Sequence, residues 1–320
     1  MLKLGIDIMG GDYAPRETTL GAISALNDLP KDVRLVLIGD KQAISKILAD
    51  EKCPVDRFDI VHTTEVIDMA ENPTRAIQQK LDSSLAIGFR LLKDSKIDAF
   101  SSAGNTGAML VGSMFSVKTI PGILRPCIAS LVPKENGSWG LVLDVGVNAD
   151  CKPELLQQFA LLGTIYAKHI LHIENAKVGL MNIGEEEEKG NLLMKEAHQL
   201  IKETRDIHFV GNVEGRDLFN DKADVIVCDG FTGNVILKLA ESFYGLIKKH
   251  KIHNEYFDHF NYEEYGGTPI LGINSTVIIA HGISHAKAIK NMIILSYECA
   301  HVKLSEKIAQ AFSKEAIIGH

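Results

Sequence analysis

Short runs of aliphatic and β-branched residues alternate along this chain with longer stretches in which apolar positions recur every three to four residues. The two periods predict strands at 2–8, 33–39, 58–62, 98–102, 139–145, 177–183, 207–213, 225–228 and 276–280. Helices are predicted over 15–28, 74–93, 153–172, 231–250 and 285–313. Pro15 and Pro153 open two of them, where the N–H that proline lacks would have no intrahelical partner. Strand followed by helix, repeated, predicts an α/β fold with a mostly parallel sheet and helices on both faces. The segment 116–137 breaks the rhythm with Pro121, Gly122, Pro126 and Pro133 around a short apolar run at 127–131. It is expected to be an arm, or the crossing between lobes, within one α/β domain spanning 1–320.

In parallel sheets ligands bind beyond the carboxyl ends of the strands. The polar turns of this chain fall at those ends, at 9–12, 102–107, 144–150, 182–190, 229–234 and 281–282. Two of them nearly repeat each other: Ser102-Ala103-Gly104-Asn105-Thr106-Gly107 and Cys228-Asp229-Gly230-Phe231-Thr232-Gly233-Asn234. Each joins a buried strand to the start of an apolar helix, a geometry that aims unpaired N–H groups at an anion. Glycine admits close backbone approach, and Asn and Thr add short polar contacts. The pair predicts a cleft for phosphate or another charged small molecule.

Composition narrows the partners. With 34 basic against 41 acidic residues the formal net charge is −7, the wrong sign for general nucleic-acid binding. Five scattered cysteines without a CxxC or Cys/His spacing suit a reducing, cytoplasmic setting. The first eight residues read as a strand rather than a signal peptide, and no apolar run approaches the roughly 18 residues of a membrane span.

Chemistry is bounded by what is missing. The chain holds no GxxxxGK[ST] loop, GxGxxG fingerprint, GxSxG elbow or HExxH motif. His253 and Asp258 match a short acyltransferase pattern with no supporting block, and His250, His253 and His259 read as a solvated face. Asp217, Asp221 and Asp224 are expected as exposed helical carboxylates, and Glu185 to Glu188 as acids favouring a helix N-terminus. No metal site and no cofactor is expected. A metal- and NAD-dependent decarboxylating dehydrogenase of related fold would have only the 217/221/224 carboxylates to build on.

Six motifs stand in order: Met9-Gly10-Gly11-Asp12, Ser102 to Ala108, Leu143-Asp144-Val145-Gly146-Val147-Asn148-Ala149-Asp150, Asn182 to Gly190, Cys228 to Val235, and Ala280-His281-Gly282. Together they resemble the bacterial phosphate acyltransferases of phospholipid synthesis, the PlsX type, from about residue 4 to about 311. The resemblance implies that inorganic phosphate and long-chain acyl carrier protein give acyl phosphate and free carrier. A membrane glycerol-3-phosphate acyltransferase would then consume the product. It also implies a homodimer, at most peripheral membrane contact, and the fold of phosphate acetyltransferases and the isopropylmalate dehydrogenase group. Two departures stand out. The segment 245–265 is shorter than the tip that is thought to touch the membrane in many family members, and Gln78 and Gln79 replace basic residues of some relatives.

Phosphate attacking a thioester needs no side-chain nucleophile, because the leaving thiol has a pKa of about 8.5. Positioning an anion against the carbonyl without water is the main task. Gly104, Asn105, Thr106 and Gly107, with Gly230, Thr232, Gly233 and Asn234, are assigned to phosphate. Asp144, Asn148 and Glu185 complete the substrate-binding set. Lys189 neutralises charge, ahead of Lys238, and Asp229 or His281 takes the phosphate proton. Residues 109–115 and 236–243 are candidates for the acyl groove, and Lys248, Lys249 and Lys251, or Arg90, Lys93 and Lys96, for docking the acidic carrier. Two other functions stay open at this point: the same transfer from acyl-coenzyme A, and a non-catalytic acyl or phosphate sensor.

Overall fold

The computed structural model describes residues 1–318, with side chains at 1–254, 256–261 and 263–313. Gly319 and His320, the end of the expected domain, lie outside the described residues. The chain runs β1 (Lys3–Asp7), α1 (Arg16–Ala25), β2 (Arg34–Gly39), α2 (Lys41–Asp50), β3 (Phe58–His62), α3 (Pro73–Gln79), α4 (Ser84–Lys93), β4 (Ala99–Ser102) and α5 (Thr106–Ser116). It continues with β5 (Cys127–Pro133), β6 (Trp139–Leu143), α6 (Pro153–His169), β7 (Lys177–Met181), α7 (Leu192–Glu203), β8 (His208–Val213), β9 (Val225–Val227), α8 (Gly230–Lys249) and α9 (Glu255–Asp258). Then follow α10 (Tyr262–Tyr265), β10 (Thr268–Leu271), β11 (Thr276–Ile279), α11 (Ala286–His301) and α12 (Leu304–Ile318).

These elements form two units, Met1–Thr119 with Tyr262–Ser305, and Ile120–Asn261 with the segment from Glu306 onward. In the first, the strand order is β3-β2-β1-β4-β11-β10, parallel except for the β10/β11 pair. In the second it is β5-β6-β9-β7-β8, parallel except for β5/β6. The parallel α/β expectation holds in both. Burial on both sheet faces explains the near-continuous apolar strands: Leu4, Ile6, Leu35, Leu37 and Ile38 are inaccessible to solvent.

Close helix–sheet packing depends on glycines. A Cβ on Gly88 of α4 would lie 2.1 Å from the Phe100 ring of β4, and one on Gly163 of α6 would lie 2.5 Å from Val225 of β9. Phe89, beside Gly88, meets Phe100 edge-on at 5.1 Å.

Three expectations are corrected. The helix predicted over 74–93 is two helices, because Ser83 caps the second: its hydroxyl accepts from the Ala86 N–H and donates to the Lys80 carbonyl. The helix over 285–313 breaks at Lys303, whose φ of 55° leaves the helical region. Strand β10 went unpredicted because Pro269 disguises it. The chain passes between units within the 116–137 segment, whose apolar run extends to Pro133 as β5 in the second unit's sheet. No helix among the described residues is long and apolar enough to cross a membrane.

Candidate active site

In the first unit, β1 and β4 lie side by side, with Ile6 opposite Ser101. This places Asp7 next to Ser102 at the carboxyl end of the sheet. The Ser102 hydroxyl donates to Asp7 Oδ2 at 2.6 Å and accepts from the Gly104 N–H at 2.8 Å. The Met9 N–H donates to Asp7 Oδ1 at 2.9 Å. Burial pushes the Asp7 carboxyl above its ordinary value, against the opposing hydrogen bonds from Ser102, Ser84, Met9 and Gly10. Gly10 is required here: a Cβ on it would sit 2.4 Å from Asp7 Oδ2 and 2.7 Å from the Gly104 nitrogen. Asp7 and Ser102 therefore fix where the turn 103–107 begins.

Asn105 is the N-cap of α5. Its Oδ1 accepts from the Ala108 N–H at 3.0 Å, and its Nδ2 contacts the carbonyls of Asp68, Met69 and Glu71, each at 3.1 Å. The amide protons are thus committed to holding the 68–71 loop. What the turn offers outward is backbone: the N–H groups of Thr106 and Gly107 have no hydrogen-bond partner among the described residues, and Thr106 is exposed. The loop carrying His281 reaches the same place. The Gly282 carbonyl accepts from the Asp12 N–H at 2.8 Å, and a Cβ on Gly11 would lie 3.1 Å from that oxygen and 3.3 Å from Ala103. His281 is half-buried in this cluster.

The second unit repeats the plan with different polarity. Asp144 directly follows β6, which lies beside β9, and accepts from the N–H groups of Ile128 and Asn148 at 3.1 and 2.6 Å and from Asn148 Nδ2 at 2.9 Å. Burial raises its carboxyl too, against those hydrogen bonds. The Gly230 N–H donates to the Asn148 carbonyl at 2.7 Å, and Gly233 lies so close that a Cβ would be 2.0 Å from the Asp144 oxygen. Asp229 caps α8, accepting from the Thr232 N–H and hydroxyl at 2.8 Å each. Asn234 Nδ2 donates to the Val145 carbonyl at 3.3 Å. Asp144, Asn148, Asp229, Gly230, Thr232, Gly233 and Asn234 are therefore brought together, yet their polar groups largely satisfy one another. A carboxylate already occupies the helix N-terminus.

Lys189 is exposed, and no hydrogen bond or ion pair joins its ammonium to another described residue. Glu185 pairs with Lys222 at 2.8 Å and Arg216 at 3.2 Å, which hold its carboxyl below the ordinary value. Glu187 pairs with Lys202, and α7 is capped by Asn191, so this acidic run serves cations rather than a helix start. Asp217, Asp221 and Asp224 do not share a helix, since Asp217 ends a short 3-10 turn at Gly215–Asp217 and the other two lie beyond it, and Asp217 and Asp224 are buried: Lys134 meets Asp224 at 2.7 Å and Asp221 at 3.3 Å, and Lys222 meets Asp217 at 3.1 Å. Glu185, Glu214 and Asp217 bring oxygens within 4.8 Å of one another, with Arg216 and Lys222 on the same carboxylates. Lys238 is turned onto Glu241 of its own helix at 2.8 Å.

Burial raises the thiols of Cys127 and Cys228, and of Cys151 to about 12, so near neutral pH all three stay protonated and poorly nucleophilic. In the 245–265 segment Phe257 and Phe260 pack with Tyr256, and Phe260 also meets Phe219 at 5.2 Å. Apolar side chains that remain exposed include Met114 and Phe115 on α5, and Val235, Leu239 and Phe243 at four-residue spacing on α8. Sequence reasoning missed Asp7 and the role of Ser102 as a positioning group. The only signal for Asp7 was a strand-final carboxylate followed by paired glycines.

A family model described as fatty acid synthesis protein matches residues 2–307. A phosphate acyltransferase from Dictyoglomus turgidum is 42% identical over 333 residues, covering 98% of each chain. One from Clostridioides difficile is 43% identical, covering 98% of this chain and 97% of its own. Among solved structures, a phosphotransacetylase from Streptococcus pyogenes matches with a TM-score of 0.67 at 17% identity over 94% of each chain. A branched-chain phosphotransacylase from Enterococcus faecalis matches at 0.63 and 13% identity, over 94% of this chain and 99% of its own. The two structural likenesses show a shared fold.

Proposed function

The chain belongs to the fatty acid synthesis protein family and is an acyl-transferring enzyme, and on that premise we propose that it moves a long-chain acyl group from acyl carrier protein to inorganic phosphate. A phosphate oxygen attacks the thioester carbonyl, the C–S bond breaks, and the carrier leaves as thiolate and takes up a proton. The observation that carries the assignment is the pair of unpartnered N–H groups of Thr106 and Gly107, at a helix start capped by the neutral Asn105. Protonated, buried cysteines support direct attack by phosphate over a covalent acyl-enzyme.

In this account Asn105 holds the turn, Thr106 and Gly107 bind phosphate with the Thr106 hydroxyl as a further donor, and His281 accepts the phosphate proton. Asp229 acts as the cap of α8. Met114 and Phe115, or Leu239 and Phe243, offer exposed apolar surface to the acyl chain. Lys248, Lys249 and Lys251, all exposed, offer charge to the acidic carrier. The wider setting is a cytoplasmic homodimer whose acyl phosphate is used by a membrane glycerol-3-phosphate acyltransferase in phospholipid synthesis.

The test mixes purified protein, long-chain acyl carrier protein and phosphate, traps acyl phosphate with hydroxylamine and follows thiol release. Product and thiol together, only with phosphate, establish the transfer. Thiol without phosphate makes the protein a thioesterase and sinks the mechanism. Equal or better rates with acyl-coenzyme A reassign the donor, and acyl-carrier binding without product leaves a sensor.

A further inference from the structure

At the end of α5 away from Thr106, about 15 Å along the helix axis, α3, α4 and α5 leave a cleft of 280 Å³. Its floor is apolar. Phe89 is 2% exposed, and α5 lies directly over its ring, since a Cβ on Gly112 would be 2.2 Å from it. Ile77 and Leu81 form the walls, with Leu81 66% exposed to solvent. Arg90 and Lys93, both exposed, also line the cleft. Their spacing of three residues sets both cations on one helix face. Neither is in an ion pair among the described residues. The acid nearest in influence to Arg90, Asp82, is held by the Thr64 N–H at 3.0 Å and by the Thr64 hydroxyl at 2.5 Å.

We propose that this cleft is a binding site for a single-chain fatty carboxylate, its tail along Ile77 and Leu81 and its head between Arg90 and Lys93. The volume lies just under the roughly 300–1,000 Å³ usual for small-molecule sites, which suits one slender chain rather than a nucleotide or a two-tailed lipid. An unpaired arginine fork beside an apolar floor matches a carboxylate in geometry as well as sign. On a chain of net charge −7, two cations that form no ion pair make a local spot that attracts an anion. The site does not depend on the catalytic reading, because binding is measured without turnover.

Titration calorimetry with dodecanoate, kept below its micellar concentration, tests it on the full chain. Saturable one-to-one binding is expected, weakened at least about tenfold in the Arg90→Glu/Lys93→Glu variant with an unchanged melting temperature. Octanoate should bind at least about tenfold more weakly than dodecanoate, less than the roughly fourfold per methylene of complete burial because the cleft is open. Dodecyltrimethylammonium, with the same tail and opposite charge, should bind at least about tenfold more weakly. Should the charge reversal fail to fold, Arg90→Gln/Lys93→Gln carries the same comparison. Absence of saturable binding, equal affinity for the cationic amphiphile, or indifference to both double variants overturns the proposal. A variant that raises the carrier KM while native protein ignores dodecanoate also overturns it and gives the patch to the carrier.

Discussion

In the first unit Asp7 ends β1 beside the strand that feeds the turn 103–107, and in the second Asp144 directly follows β6 beside the strand that feeds 229–234. Both carboxyls are buried and raised, and both turns open a helix. The caps differ. Asn105 is neutral and leaves two N–H groups outward, whereas Asp229 brings its own negative charge to the Thr232 N–H and hydroxyl. Similar sequence and similar backbone thus give one turn prepared for an added anion and one already holding one. A helix N-terminus attracts anions only while its donors are free and its cap uncharged.

Closing the tight approach that both turns share should have the largest effect. Gly10→Ala and Gly233→Ala each place a methyl within 2.4 Å of an Asp7 or Asp144 oxygen, and each should cost about 3 kcal/mol or more in urea unfolding. A loss under about 1 kcal/mol in either would show that the clusters are looser than described. The two asparagines should separate next. Asn105→Ala removes a cap and the partner of the loop carbonyls, for about 2–4 kcal/mol, and raises the phosphate KM at least about tenfold. Asn234→Ala removes one long hydrogen bond, for about 1 kcal/mol or less. Equal phosphate KM values for the two variants would erase the distinction between turns, and no change in either would remove both from the phosphate site.

The pH dependence sharpens the comparison further. Because Asp7 and Asp144 are raised in the fold, their protonated forms are favoured there, and the stability they contribute at low pH is lost as pH rises through the raised values. Asp224 behaves oppositely: Lys134 and the Lys177 N–H hold its carboxyl down, so its contribution is lost as pH falls. Asp7→Asn should flatten the decline of stability from about pH 4 upward in denaturant titrations. An unchanged slope would mean that Asp7 titrates normally. The smallest effect is expected for Asp229→Asn, which keeps a good cap and should alter stability by less than about 0.5 kcal/mol. Phosphate KM should stay within about threefold. Loss of turnover at unchanged KM would instead make Asp229 the proton acceptor in place of His281.

Most of the architecture was legible in the chain, because a parallel sheet buried on both faces demands uninterrupted β-branched runs that recur between amphipathic helices. Boundaries failed where local polar chemistry overrode periodicity, as at Ser83 and Lys303, and where Pro269 hid a short strand. The site was half legible. Glycine, Asn and Thr at strand ends announced two tight strand-to-helix turns, and no side chain larger than hydrogen fits at Gly10 or Gly233. Which polar atoms remain free could not be read from those letters.

The sequence by itself determined the α/β alternation, the family and the places where backbone must approach backbone, because hydrophobic period and glycine are local properties. Tertiary structure decided that the Asn105 amide is spent on Asp68, Met69 and Glu71, that Glu185 belongs to Lys222 and Arg216, and that the tip aromatics pack together. It also decided that Asp7, 95 residues from Ser102, sets the start of the turn 103–107. Hydrogen bonds and ion pairs join whichever donors and acceptors the fold brings within about 3 Å, and that proximity is created only when distant strands are laid side by side.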